Sequence, residues 1–133
     1  MKKVPDMSGD FDGYLYHVTN EKTAKTILKE GFRAERSYWS VGGAVRDYYA
    51  ELVCDEGGRA VIISVNLKEI DESLLQPDMP SIDEPLTFTL QTTEELVYDA
   101  WQECPGTWRD CLNLVGSVAY DGAISADLLN VED

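Results

Sequence analysis

The stretch from Tyr14 to Phe32, YLYHVTNEKTAKTILKEGF, constrains the fold of this chain more than any other. Its first residues are mostly aromatic or β-branched, which favours a strand with a buried face. Thr19 or Asn20 then supplies a side-chain oxygen that can cap a helix, and Gly31 supplies the left-handed residue at which helices commonly end. The stretch therefore predicts a strand followed directly by a helix, and it places His17, the single histidine, where the two meet.

Comparable signals divide the rest of the chain. We predict strands at residues 37–41, 59–67, 86–92 and 116–120, a closing strand and turn at 123–131, and helices at 43–54, 93–104 and 108–114. Residues 68–85 are acidic and contain three prolines, so an ordered loop with little regular structure is expected there.

Residues 1–12 are polar and aperiodic and are expected to form a flexible arm. At 133 residues the chain is expected to be one domain, 1–133.

The chain is strongly acidic. It has 11 Lys and Arg residues against 25 Asp and Glu residues, a formal net charge of −14 at pH 7. Such a chain repels phosphate backbones and anionic membranes, so direct binding to either is not expected. An acidic chain of this kind is suited instead to bind a basic protein surface. One function class that follows is a non-enzymatic inhibitor that occupies a basic partner by resembling a nucleic acid.

Several other classes find no support in the sequence. Three cysteines, an odd number without CxxC spacing, and a single histidine predict reduced thiols and no structural zinc site. The start of the chain lacks the apolar core of a signal peptide, and no window approaches the length of a membrane span, so we expect a soluble, cytoplasmic protein. Phosphate-loop, dinucleotide-binding and HExxH motifs are absent from the sequence.

A series of short motifs follows the same order along the chain as in one known superfamily. The motifs are Tyr16-His17-Val18-Thr19, Glu30-Gly31-Phe32, Tyr38-Trp39-Ser40, Ala44 with Tyr48-Tyr49, Thr92-Thr93-Glu94-Glu95, and the terminal block from Val118 to Ser125 that contains Tyr120-Asp121-Gly122. This order resembles the ADP-ribosyltransferase-like superfamily, in particular members whose first strand reads [LY]-[FY]-H-[GV]-[TS]. The first and the terminal blocks are the specific parts of the resemblance.

The resemblance implies an α+β fold with a split antiparallel β core and flanking helices. It implies NAD as cofactor and mono-ADP-ribosyl transfer to a macromolecule, with cleavage of the bond between nicotinamide and ribose. The acceptor is expected to be a protein with a basic surface. The implied catalytic residues are His17, Tyr38 and Glu95, and the implied cofactor-binding residues are Tyr16, His17, Thr19, Trp39, Tyr48, Tyr49 and Glu94.

Each implied role has a physical basis. A neutral imidazole at His17 can donate one hydrogen bond and accept another, which suits a ribose diol. Tyr38, or Trp39 if the register shifts by one, would stack on nicotinamide, and Tyr48 or Tyr49 would form a second aromatic wall. A carboxylate near the ribose would stabilise the positive charge that develops as nicotinamide leaves.

The identity of that carboxylate stays open at the level of sequence. Glu94 and Glu95 also suit the first turn of the predicted helix, where acidic side chains interact favourably with the helix dipole. Glu103 and Asp110 are the alternatives. His17 likewise has a structural alternative, a packed and hydrogen-bonded histidine within the core.

Overall fold

A computed structural model of the chain describes residues 2–33 and 35–132. The strands are β1 (Tyr14–Asn20), β2 (Arg36–Ser40), β3 (Ala60–Asn66), β4 (Leu75–Pro77), β5 (Ser117–Asp121) and β6 (Asn130–Glu132). The helices are α1 (Glu21–Glu30), α2 (Ala44–Asp55), α3 (Met79–Asp83), α4 (Thr87–Leu90), α5 (Glu94–Gln102) and α6 (Trp108–Val115). The predicted α+β class is confirmed.

One six-stranded sheet, in the order β4-β5-β2-β1-β3-β6, organises these elements, and every pairing in it is antiparallel. β1 pairs with β3 along its whole length, and β2 pairs with β5 along its whole length. Within the described residues, β1 and β2 pair only at Tyr16 and Ser40. The two halves of the sheet therefore meet at one residue pair and separate beyond it.

The first strand and helix form as the sequence predicts. The Asn20 side chain caps α1 by accepting a hydrogen bond from the backbone N–H of Thr23 at 2.8 Å. Gly31 ends the helix with a φ of +75°, and a Cβ there would overlap the backbone carbonyl of Ile124. This close approach allows Phe32 and Ile124 to form a β-bridge, which fixes the chain as it leaves α1.

The predicted helices at 43–54, 93–104 and 108–114 are present as α2, α5 and α6. Thr93 caps α5 by accepting from Leu96 N–H, and Thr107 forms a capping box with Asp110 at the start of α6. The loop predicted at 68–85 has little regular structure, but it contains the short strand β4 and the one-turn helix α3. β4 matters for the site because it carries the loop onto the edge of β5.

The prediction of a strand at 86–92 was wrong, because residues 87–90 form the helix α4. Leu86 and Leu90 are four residues apart and share one helical face, with Leu90 N–H donating to the Leu86 carbonyl at 2.9 Å. Phe88, which a strand would place on the same face as the two leucines, is 93% exposed. The alternating pattern of residues 86–90 is compatible with the two-residue period of a strand and with the 3.6-residue period of a helix. Burial of Leu90 and partial burial of Leu86 on one face favour the helix.

Part of the predicted flexible arm is packed against the body of the protein. The Met7 N–H donates to the Asn113 carbonyl at 2.6 Å, and Met7 and Phe11 contact the hydrophobic core. One core cluster lies around Leu15, Trp39, Val65 and Val118, and a second lies among the helices around Val45, Val97 and Val115. Among residues 2–33 and 35–132, none of the helices has the length and apolar character needed to cross a membrane.

Candidate active site

A cleft of about 440 Å³ opens where β1 and β2 separate. Its volume lies within the range of small-molecule and cofactor sites. The cleft is bounded by β1, β2, the start of β5, α2 and the turn from β4 into α3. Its lining residues are Tyr16, His17, Val18, Tyr38, Trp39, Ser40, Tyr49, Asp78, Pro80, Ser81 and Ser117.

The floor of the cleft follows from the register of the sheet. Tyr16 lies opposite Ser40, and Ser40 lies opposite Ser117, so these three side chains form a row on one face. Val18 and Tyr38 lie two residues further along their strands and share that face. All five residues line the cleft.

Asp78 extends this row to a fourth strand. The last register pair between β4 and β5 is Pro77 with Val118, so Asp78 and Ser117 are the next residues to face each other as the strands end. Both line the cleft. The antiparallel pairing of β4 with β5 therefore brings to one cleft two residues that are 39 positions apart in the sequence.

His17 links the two separating strands. Its Nδ1 lies 2.8 Å from the Tyr38 carbonyl oxygen, which can only accept, so Nδ1 carries the proton and Nε2 is the acceptor nitrogen of the neutral ring. Burial lowers the pKa of His17, and the hydrogen bond to Tyr38 opposes that effect only in part. The ring packs against Phe32 and Trp39, with centroids 5.0 and 5.4 Å away. His17 is thus neutral and held in one orientation.

Two adjacent aromatic residues of β2 occupy different depths. Trp39 is 2% exposed, and its Nε1–H donates to the Ser37 hydroxyl at 2.8 Å. Tyr38 is 44% exposed and forms the rim of the cleft. An exposed aromatic ring at the mouth of an apolar cleft is available to stack on a planar ligand.

Two buried or partly buried tyrosines, one on α2 and one on β1, also line the cleft. Tyr49 of α2 lies near Asp78. Burial is the main cause that raises the pKa of the Tyr49 hydroxyl, and the negative charge of Asp78 raises it further. Tyr16 donates to Asp12 at 2.7 Å, and burial together with that contact raises the pKa of Tyr16 to about 12. Arg46 lies over the Tyr16 ring, 4.9 Å from its centroid. Both tyrosines are protonated at neutral pH and serve as aromatic walls.

Asp78 is the carboxylate of the cleft, and it is only 5% exposed. Its two oxygens accept from the Ser81 hydroxyl at 2.7 Å and from the Ser81 N–H at 3.2 Å, which makes it the N-cap of α3. Behind it, burial raises the pKa of the Cys111 thiol to about 12. Cys111 is therefore a packed thiol and is unsuited to act as a nucleophile.

Ser117 has an unusual environment for a hydroxyl group. The residue is 3% exposed, and its Oγ has no hydrogen-bond partner in the part of the chain that the structure describes. Buried hydroxyl groups in folded proteins almost always have a partner, because an unpartnered one costs about 1–3 kcal/mol. An orphaned hydroxyl that lines a cleft is a feature expected of a ligand-binding site.

The structure brings together Tyr16, His17, Tyr38, Trp39 and Tyr49 among the residues predicted from sequence. Thr19 and Tyr48 lie outside the lining of the cleft. Thr19 pairs with Val61 in the sheet, and Tyr48 packs edge-on against Tyr49 with ring centroids 5.6 Å apart.

The predicted carboxylates lie elsewhere. Glu94 and Glu95 form the first turn of α5 and border a separate depression of about 370 Å³, together with Ile82, Asp83, Tyr98 and Asp99. This placement is the structural alternative given for them above, the first turn of the helix predicted at 93–104, which Thr93 caps. Asp110 is engaged in the capping box of α6, and Glu103 is the exposed residue after α5.

Sequence reasoning missed Asp78, Ser81 and Ser117. The only available signal was the spacing of Asp78 and Ser81 around Pro80, which is typical of a helix N-cap and carries no indication of a cleft. Ser117 gave no signal, because its position depends on the pairing of β2, β4 and β5.

No protein-family model, curated protein or solved structure matches this chain. Within residues 2–33 and 35–132, no group of three or more His, Cys, Asp or Glu side chains is placed to hold a metal ion.

Proposed function

We propose that the chain is an ADP-ribosyltransferase-like enzyme of the cytoplasm that binds NAD and transfers ADP-ribose to a macromolecule. The observation that carries this proposal is the position of His17, at the point where an antiparallel sheet splits, inside a cleft lined by Tyr38, Trp39 and Tyr49. The split sheet with flanking helices and the order of these residues both agree with the resemblance drawn from sequence.

Two residues of the cleft, His17 and Tyr38, suit parts of the proposed ligand. His17 is neutral and oriented, so its Nε2 would accept a hydrogen bond from a ribose hydroxyl. Tyr38 at the rim would stack on a planar ring. The chemistry that NAD supplies is a ribose carbon whose bond to nicotinamide is readily broken.

In this proposal Asp78 takes the place of Glu95 as the carboxylate of the site. Asp78 lines the cleft and is buried, whereas Glu95 borders the depression on α5. A carboxylate in a site with little water stabilises developing positive charge more strongly than one on the surface. Its orientation is fixed by the two hydrogen bonds from Ser81.

A turnover assay tests this assignment. Release of nicotinamide from NAD is measured for the parent protein and for Asp78→Asn and Glu95→Gln, each of which removes one negative charge. Asp78→Asn is expected to lower the rate by at least a hundredfold, because it removes charge stabilisation inside the cleft. Glu95→Gln is expected to retain nearly the full rate. Equal loss in both variants, or turnover that survives Asp78→Asn, contradicts the role given to Asp78.

A second candidate function is a non-enzymatic interaction with a basic partner. The observation that favours it is the depression at α5, where Asp83, Glu94, Glu95 and Asp99 surround Tyr98, which is 58% exposed. Binding of this kind weakens steeply as salt concentration rises and does not depend on His17. The same surface would also serve the enzyme by attracting a basic protein acceptor.

A further inference from the structure

Asp78 is a buried carboxylate, 5% exposed, with no ion-pair partner among the described residues. All 11 Lys and Arg residues lie within the described ranges, and none of them lines the cleft. In the part of the chain that the structure describes, the ion pairs are Arg36 with Asp121 and Arg46 with Asp47. Asp78 is thus a buried carboxylate without a basic partner, although buried charges in proteins are normally paired.

The capping role of Asp78 does not account for its charge. An asparagine at the N-cap would accept from the Ser81 N–H through its one oxygen and could donate to the Ser81 hydroxyl oxygen through its amide nitrogen, without placing a negative charge in a cleft. The one-turn helix α3 offers only a weak dipole to compensate that charge. The hydrogen bonds therefore orient the carboxylate and leave its charge available to a ligand.

Ser117 is an independent observation at the same place. Its hydroxyl has no partner among the described residues, and Ser117 lines the same cleft as Asp78. Next to it, Ser40 donates its own hydroxyl proton to the Val41 carbonyl at 3.0 Å, so its oxygen remains an acceptor. The row of Ser40, Ser117 and Asp78 thus offers several acceptors and lacks a basic group.

The walls around this row favour a cation as well. Tyr16, Tyr38 and Tyr49 line the cleft, and aromatic faces attract positively charged groups. One of these rings already makes such a contact, because the guanidinium group of Arg46 lies 4.9 Å from the centroid of Tyr16. A planar cation has the shape to lie along aromatic rings while its N–H groups reach a carboxylate and a hydroxyl.

We propose that the row of Ser40, Ser117 and Asp78 is a recognition site for a planar cation, a guanidinium or amidinium group. The cation supplies the charge that Asp78 lacks and the hydrogen bond that Ser117 lacks. Binding of the cation does not require NAD, because it depends only on charge and hydrogen bonding in the cleft.

The test uses benzamidine, benzamide and benzoate, which share nearly one shape and carry a positive, zero and negative charge at neutral pH. Dissociation constants are measured by titration calorimetry with the full chain. The parent protein is expected to bind benzamidine at least tenfold more tightly than benzamide and to show no binding of benzoate. Benzamide bound as tightly as benzamidine would overturn the proposal.

Two variants locate the effect. Asp78→Asn keeps the cap of α3 and is expected to abolish the preference for benzamidine over benzamide. Its control is Asp71→Asn at an exposed cap, whose Oδ1 accepts from the N–H and the hydroxyl of Ser73; this substitution changes the net charge equally. The control is expected to retain the preference. Loss of the preference in both variants would mean that net charge alone attracts the cation, which contradicts a site at Asp78.

Ser117→Ala is expected to weaken benzamidine at least threefold, with Thr92→Val as its control. Thr92 carries the other buried hydroxyl without a partner among the described residues, and it lies outside the lining of the cleft. Thr92→Val is expected to bind benzamidine like the parent. Unchanged affinity in Ser117→Ala would remove Ser117 from the site and overturn the proposal as stated. NAD titration alongside separates the two proposals, because either ligand can bind without the other.

Discussion

At the scale of single residues, His17 joins the fold to the site. Its imidazole donates to the Tyr38 carbonyl where β1 and β2 have already separated, so a side chain replaces the backbone pairing that ends at Tyr16 and Ser40. The same contact leaves Nε2 as an acceptor. His17 therefore links β1 to β2 at the opening of the cleft and also provides a hydrogen-bond acceptor there.

The lowered pKa of His17 has a consequence for stability. A histidine whose pKa is lowered in the folded state binds a proton more readily in the unfolded chain, so its effect on stability is complete above the unfolded pKa of about 6.5. As pH falls below that value, the free energy of unfolding decreases by up to about 1.4 kcal/mol per pH unit for this group. Below the folded pKa the decrease from His17 stops.

The measurement compares urea unfolding of the parent and of His17→Gln between pH 7.5 and 5.0. Glutamine can donate to the Tyr38 carbonyl but does not titrate, so its curve is expected to fall less steeply in this window. Carboxylate titration is common to both proteins and cancels in the difference. Parallel curves would contradict the buried neutral imidazole.

The residue scale also separates what sequence could predict from what it could not. His17, Tyr38 and Tyr49 were identified because their motif order and aromatic character are visible along the chain. Asp78 and Ser117 were not, because a carboxylate among 25 acidic residues carries no mark of burial until the strands are paired. The site is formed by the pairing of strands that are distant in sequence, and this pairing has no local signal in the sequence.

At the scale of elements, cap residues explain where prediction succeeded. Asn20, Thr93 and Thr107 each satisfy backbone N–H groups at a helix start, and all three helices begin where their caps indicate. Residues 86–92 lacked a cap and carried a pattern compatible with both strand and helix. Glu94 and Glu95 lie in the first turn of α5, the alternative that the Thr93 cap indicated, and the predicted carboxylate therefore lies outside the cleft.

The assignment of α4 is tested by two truncations. In a helix Leu90 is buried and Phe88 is exposed, so Leu90→Ala is expected to lower the free energy of unfolding by about 2–4 kcal/mol. Phe88→Ala is expected to change it by less than about 0.5 kcal/mol. Urea denaturation gives both values. Comparable losses in the two variants would indicate a strand with one buried face.

At the scale of the whole molecule, charge and architecture act on different ligands. The net charge of −14 opposes polyanions and favours basic partners over the whole surface. The split sheet offers an apolar cleft with a neutral histidine and a buried carboxylate, which is a local environment distinct from the surrounding field. A ligand with a cationic ring, or a basic protein acceptor, is compatible with both the net charge of the surface and the local environment of the cleft.

Titration calorimetry of NAD into the parent protein and into His17→Ala tests directly whether the cleft at the split binds NAD. We expect saturable one-to-one binding to the parent. We expect at least tenfold weaker binding to the variant, because the oriented Nε2 acceptor is lost and the Tyr38 carbonyl loses its partner. Absence of binding to the parent, or equal binding to both proteins, would contradict binding of NAD at this cleft.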